Sequence, residues 1–212
     1  MSEMQSVVNT VDQARVDLQV ISDFVTPGAR VLDVGCGNGD LLARLEAEKN
    51  VDGRGVELSQ KGVNEAVARG LSVIQGDADH DLATYPDDAF DFVILSQTLQ
   101  ATYAPKVVLE ALLRIGKKTI VSFPNFGHWK VRGQFMLYGR MPITHDLPYH
   151  WYDTPNIHFC TVLDFRALVR EVGAEIEQTV ALYGDGRRLG GSSSWGYWNA
   201  FSKQAVFLLS KP

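Results

Sequence analysis

Arg30-Val31-Leu32-Asp33-Val34-Gly35-Cys36-Gly37-Asn38-Gly39-Asp40 is the stretch on which the fold turns. An apolar run ends in an acid, passes through glycines at alternate positions and opens into a helical pattern carrying Leu41, Leu42 and Leu45. In an open α/β sheet this is a first parallel strand with a nucleotide-cofactor loop at its carboxyl end. Dinucleotide loops use G-x-G-x-x-G so that the backbone can approach a pyrophosphate at a helix amino terminus. Here Asp40 takes the place of the third fingerprint glycine, and Asp33 precedes the loop. A carboxylate at Asp33 repels phosphate and attracts a cation.

Working outward, each of the next two strands also ends in an acid. Glu57 closes the strand Gly55 to Leu58, where a doubly wound sheet offers a carboxylate to two ribose hydroxyls. Asp77 follows the strand Leu71 to Gln75 and is placed to accept from an adenine amino group. Ala78 would supply a backbone N–H to the ring, and Leu58 an apolar face for the base. The Gly35-Cys36-Gly37 backbone allows close approach of an amino-acid group, and Ser96-Gln97, after a fourth strand, would close over it. The ligand these residues describe is S-adenosylmethionine or S-adenosylhomocysteine, which carries no phosphate. Taken singly, the glycines could make only a tight turn, Asp33 serve a helix cap and Asp77 sit in a solvated turn. Three acids at three successive strand ends favour the cofactor.

The same alternation continues along the chain. A helix is expected over Val8 to Phe24, ended by Pro27-Gly28. Asn38 or Asp40 is expected to cap the next helix, and Ser59 the one after it. Strands are expected at Phe90 to Leu95 and Thr119 to Phe123, with a helix from Pro105 to Arg114 between them. Nearly continuous apolar strand cores predict a parallel sheet covered on both faces. From Pro124 to Cys160 the rhythm breaks into aromatics, Pro and His, with a short helix expected over Val131 to Tyr138. Thr161 to Asp164 reads as a capping box, and strands are expected near Ala174 to Tyr183 and Ala205 to Leu209. The connection Gly184 to Asn199 reads as a long loop.

Bulk properties narrow the classes. The 212 residues, 45% hydrophobic, suit one well-buried domain. A net charge of -5 gives no general basic field for nucleic acid. Two distant cysteines, Cys36 and Cys160, make neither a disulfide framework nor a zinc site, which predicts a reducing, cytoplasmic setting. No apolar run reaches membrane-spanning length, and the polar amino terminus lacks a signal-peptide core.

Beyond the glycine loop, four segments have unusual compositions: Leu95 to Gln100, Val121 to Trp129, Gly139 to Pro142 and Trp151 to His158. With Leu32 to Gly37 they make the chain resemble class I S-adenosylmethionine-dependent methyltransferases, and more specifically the MetW family of methionine biosynthesis proteins. The resemblance implies a Rossmann-like, doubly wound, seven-stranded α/β sheet of order 3-2-1-4-5-7-6 with strand seven antiparallel. It implies one methyltransferase-like domain over residues 1–212, with 124–160 as a lid or insert after strand five. It also implies work with a homoserine O-acyltransferase (MetX), for which S-adenosylmethionine would be a sensible feedback ligand. A free-standing small-molecule methyltransferase is the alternative, and a ligand-binding regulator without chemistry a third reading.

A catalytic set is harder to find. His128, just after strand five, is the best candidate base; His145, His150 and His158 follow, with Tyr149, Tyr152 and Asn156 nearby. His158 is placed to orient backbone, and His145 beside Asp146 and His80 between two acids read as solvated pairs. Ser96 lacks the glycines of a nucleophile elbow, and no His/Cys spacing suggests a metal. Trp129, Tyr149, Trp151 and Tyr152 with Arg132 and Arg140 have the composition of an interface hot spot, with packing beneath a loop as the alternative. For Trp195-Gly196-Tyr197-Trp198, packing against the sheet edge is expected.

Overall fold

In the computed structural model, residues 17–144, 149–184, 186–189 and 194–211 are described. Seven strands lie in one sheet: β1 (Arg30–Val34), β2 (Asp52–Glu57), β3 (Val73–Gln75), β4 (Phe90–Ser96), β5 (Gly116–Pro124), β6 (Glu175–Leu182) and β7 (Gln204–Ser210). Their order is β3-β2-β1-β4-β5-β7-β6, as expected. The first five strands run parallel, and β7 pairs antiparallel with both β5 and β6. The helices are α1 (Asp17–Phe24), α2 (Asp40–Lys49), α3 (Gln60–Ala68), α4 (Pro105–Ile115), α5 (Trp129–Tyr138), α6 (Val162–Glu171) and α7 (Trp195–Phe201). Val8 to Val16 of the expected first helix lie outside the described residues, as do His145 and Asp146.

Alternation along the strands divides the core into two layers. Leu32, Val34, Val93, Leu95, Val121, Phe123 and Phe207 join the layer under α4 and α6. Val31, Phe92, Ile94, Ile120, Val206 and Leu208 join the layer under α1 and α2. Within the first, Phe123, Phe165 and Phe207 form an aromatic knot with centroids 4.7–5.8 Å apart. Such pairs add to area burial and fix where α6 crosses the sheet.

Two local expectations change. Gly39, not Asn38 or Asp40, holds the N-cap position of α2, at φ 80 and without a side-chain bond, while Asn38 Oδ1 accepts Asp40 N–H at 3.3 Å from one residue earlier. A Cβ at Gly39 would fall 2.3 Å from Leu71 Cδ1, so only glycine permits that turn. Asp40 instead bonds Arg69 at 2.6 Å. The second change is α7, a helix inside the stretch expected to be a loop. Ser194 caps it, and Trp195 lies parallel to Phe207 with centroids 6.3 Å apart beneath Arg166. Burial of one aromatic face outweighs the weak local helical signal, and the tryptophans pack on the sheet as expected. Ser59 and Thr161 cap α3 and α6 as expected.

Candidate functional site

The site begins with three turns at the carboxyl ends of β1, β2 and β3. Gly35 has φ 73, and a Cβ there would lie 2.5 Å from Thr98 Oγ1. The loop after β1 is therefore pressed against the turn after β4, which a side chain would prevent. Gly37 N–H then donates to Glu57 Oε2, and Ser59 N–H donates to Glu57 Oε1, each at 2.8 Å. Two backbone amides fix the carboxylate and leave it further acceptor sites.

Asp77 is held in the same manner. Its oxygens accept from Asp79 N–H at 2.9 Å and His80 Nδ1 at 3.0 Å. The Asp79 N–H first, and then the His80 ring, keep its carboxyl below the usual range despite some burial. Asp79 accepts from Tyr103 and Ala104 N–H, both at 2.9 Å, and so fastens the facing wall.

Between these turns lies an open cleft of about 160 Å³. Gly35, Glu57, Leu58, Asp77 and Ala78 line it, joined by Asp79, Thr98, Ala101 and Thr102. Glu57, Asp77 and Asp79 are its charged residues, and no lysine or arginine is among the residues that line it. Such a wall repels phosphate and suits hydroxyls, amines or a cation. Leu58, 66% exposed, offers an apolar surface for a flat ring.

The remaining cofactor candidates lie behind or beside the cleft. Asp33 is buried and shares the face of Val31, toward α1. Cys36 packs its side chain with Leu42, Val63, Leu71 and Val73, leaving the loop backbone to face a ligand. Burial, then Asp33, then Glu57 push its thiol up to about 12, so it is protonated at neutral pH. Gly37 meets the site through Glu57. Ser96 donates to Asp17 Oδ2 at 3.0 Å, and Ser122 donates to the same oxygen at 3.1 Å. Gln97 has the left-handed φ 55 and takes Ser122 O as acceptor for its N–H at 2.9 Å. Its side-chain Nε2 is shielded from solvent with no hydrogen-bond partner among the described residues.

Asp17 and Ser122 were not singled out in the sequence. Asp17 is wholly buried. A signal exists, since Asp17 falls four residues before Ile21 and seven before Phe24, on the apolar face of α1. Thr98, Ala101 and Thr102 were also missed; they follow Gln97 in a short 3₁₀ turn that no local pattern announces.

His128, the candidate base, is not among the residues that line the cleft. It is buried at the amino terminus of α5, where its Nδ1 accepts Lys130 N–H at 3.2 Å. That nitrogen carries no proton while it caps, and the ring does not line the cleft. His158 contacts Tyr103 O at 3.4 Å, in keeping with a backbone-orienting role. His150 and Tyr149 line a separate hollow with Phe126, Met141, Trp151 and Phe159. Among the described residues no group of three or more His, Cys, Asp or Glu could hold a metal, and no helix is long and apolar enough to cross a membrane.

A family model described as methionine biosynthesis protein MetW matches residues 15–209. The bifunctional methionine biosynthesis protein MetXA/MetW of Rhodopirellula baltica is 36% identical over 174 residues, 78% of this chain. The match spans 28% of that protein's length. Among solved structures, a SAM-dependent methyltransferase from Thermotoga maritima aligns with a TM-score of 0.66 at 19% identity, covering 99% of this chain and 96% of its own. Magnesium protoporphyrin IX methyltransferase from Synechocystis, solved with bound SAH, aligns at 0.62 and 19% identity, covering 99% and 87%. At that identity the likeness establishes the class I methyltransferase fold.

Proposed function

The chain belongs to the MetW family of methionine biosynthesis proteins, and from that premise we propose that it binds S-adenosylmethionine or S-adenosylhomocysteine and acts with a homoserine O-acyltransferase. The carrying observation is the cleft lined by Glu57, Asp77 and Asp79 without a lysine or arginine. In this reading Glu57 accepts from the ribose hydroxyls, Asp77 from the adenine amino group, and Leu58 covers the base. The Ala78 N–H reaches the ring, and the Gly35-Cys36-Gly37 backbone admits the amino-acid end. Asp33 adds negative charge behind the loop and lowers the energy of the ligand's ammonium and sulfonium. Gln97 would close over the amino-acid end, and its left-handed backbone is the kind of strain found at ligand clamps. Ser96 supports that turn through Asp17 and Ser122.

The acyltransferase partnership is supported by the Rhodopirellula protein, whose name joins MetXA and MetW in one chain. Residues 124–160 are proposed as an insert on a single methyltransferase-like domain. No histidine lines the cleft among the described residues, and His128 is occupied as a helix cap, which favours a ligand-sensing role over methyl transfer. The methyltransferase fold of the structural neighbours favours the second reading, a free-standing enzyme acting on a small molecule.

The test is calorimetric titration with S-adenosylmethionine, followed by acyl-transfer assays of a purified homoserine O-acyltransferase with and without this protein. Saturable ligand binding and a ligand-dependent change in acyl transfer are expected. Unchanged acyl transfer at saturating ligand rules out feedback. Transfer of a labelled methyl group to a metabolite by the isolated protein selects the second reading.

A further inference from the structure

The segment between β5 and α6 is built unlike the rest of the molecule. α5 has ten residues, of which only Val131 is buried. Met136 is 80% exposed, Leu137 and Tyr138 are each 73% exposed, and Trp129 and Phe135 are about half exposed. A helix this short has little stability of its own in water and ordinarily depends on burying an apolar stripe. This one is closed at both ends, by His128 before it and by Gly139 in the left-handed conformation after it, and yet it turns most of its apolar side chains outward.

The exposed surface continues past the helix. Met141 and Pro142 share the hollow beside Phe126 with Tyr149 and Trp151, and Trp151 is 73% exposed. So many exposed apolar side chains on one short segment are uncommon on monomers and mark interaction surfaces. The composition also agrees, since Trp, Tyr, Phe, Met and Arg are the types enriched at interfaces.

Charge narrows the occupant. The chain is acidic overall at -5, but from Asn125 to Thr144 its only charged residues are Lys130, Arg132 and Arg140. A partner face for this surface needs an apolar centre rimmed by carboxylates. We propose that the exposed apolar side chains of α5, together with Trp151 by the hollow that follows the helix, are the docking surface for the homoserine O-acyltransferase, through an acid-rimmed apolar face on that enzyme. The inference rests on the functional reading above and adds where the contact lies.

The location also connects contact with ligand. The far end of the same segment is pinned by Ile157 and His158 N–H, which donate to Gln100 O at 2.8 and 3.0 Å. Gln100 belongs to the turn whose next residue, Ala101, lines the cleft. A partner on the segment and a ligand in the cleft thus share one wall.

The experiment measures binding of the purified acyltransferase to the full chain by sedimentation velocity. It compares the wild type with Met136→Glu/Leu137→Glu, with Arg132→Glu/Arg140→Glu, and with Val67→Glu as a control on exposed α3. The two patch variants are expected to bind at least about tenfold more weakly, with S-adenosylmethionine affinity and melting temperature retained. The control is expected to bind as the wild type does. The charge-reversal pair keeps the test decisive should the apolar pair fail to fold. Wild-type binding with undiminished binding by the patch variants overturns the surface alone. Absence of wild-type binding overturns the functional reading and the surface with it. Self-association of the wild type that the same variants abolish, or patch-dependent binding to anionic vesicles, assigns the face to another occupant and overturns the proposal.

Discussion

The cleft and the segment after β5 both sit at carboxyl ends of strands, and they are organised in opposite ways. At the cleft, backbone amides hold the side chains: Glu57 and Asp77 are aimed by N–H groups of Gly37, Ser59 and Asp79. The root of the segment is organised instead around one buried side chain. Asn125 Nδ2 donates to Asn199 O and Ser202 O, while its Oδ1 accepts Gly127 and Val162 N–H. Beyond that root most of its apolar groups, Val131 excepted, are exposed. A pocket preorganised by backbone is suited to a small polar ligand, whereas an outward apolar surface gains its stabilisation from a macromolecule.

The largest effect that would break this contrast is at the root. Asn125→Ala strands the Gly127 and Val162 amides and is expected to cost about 3 kcal/mol of stability, since several buried hydrogen bonds are lost together. Urea denaturation would check it, and a loss below about 1 kcal/mol would show that the segment is held elsewhere. At the cleft, Glu57→Ala and Asp33→Ala are each expected to weaken S-adenosylmethionine binding by roughly 1–3 kcal/mol, leaving acyltransferase binding unchanged. Equal affinity of both variants in calorimetry would move the ligand site away from these strand ends.

The smallest effect sharpens the comparison through one thiol from each region. Cys36 behind the loop and Cys160 at the end of the segment are both pushed up to about 12, chiefly by burial, with Asp33 and Glu57 adding for Cys36 and Asp164 for Cys160. The folded protein keeps these protons where the unfolded chain, titrating near 9, releases them. Their contribution is therefore complete below pH 9 and declines as pH rises toward 12. Denaturation midpoints at pH 8 and 10 should fall less in Cys36→Ala and Cys160→Ala than in the wild type.

Much of the cleft was legible because its signals are local. An apolar run, a glycine loop and an acid at the next strand end each occupy a few consecutive residues, and Glu57 and Asp77 line the same cleft. Asp33 was legible as an acid at a strand end but not in its direction, because alternation along β1 sends it toward α1. His128 followed strand five as expected, but whether an imidazole works as base or cap depends on the helix that starts beneath it. α7 was missed because Trp195-Gly196 is poor helical sequence, and what stabilises it is Phe207 across the fold.

By itself, then, the sequence determined the alternation of strands and helices, the acidic ends of β1 and β2 with Asp77 just beyond β3, and the aromatic character of the segment after β5, while the strand order came with the family resemblance. These follow from periodicity, glycine geometry and charge, which act over a few residues. Only the tertiary structure decided that Ser96 and Ser122 meet Asp17 across separations of 79 and 105 residues, that Thr98 closes on Gly35, and that α5 leaves most of its apolar side chains exposed. Such contacts depend on which faces the chain brings together when it closes its core, and no local pattern carries that information.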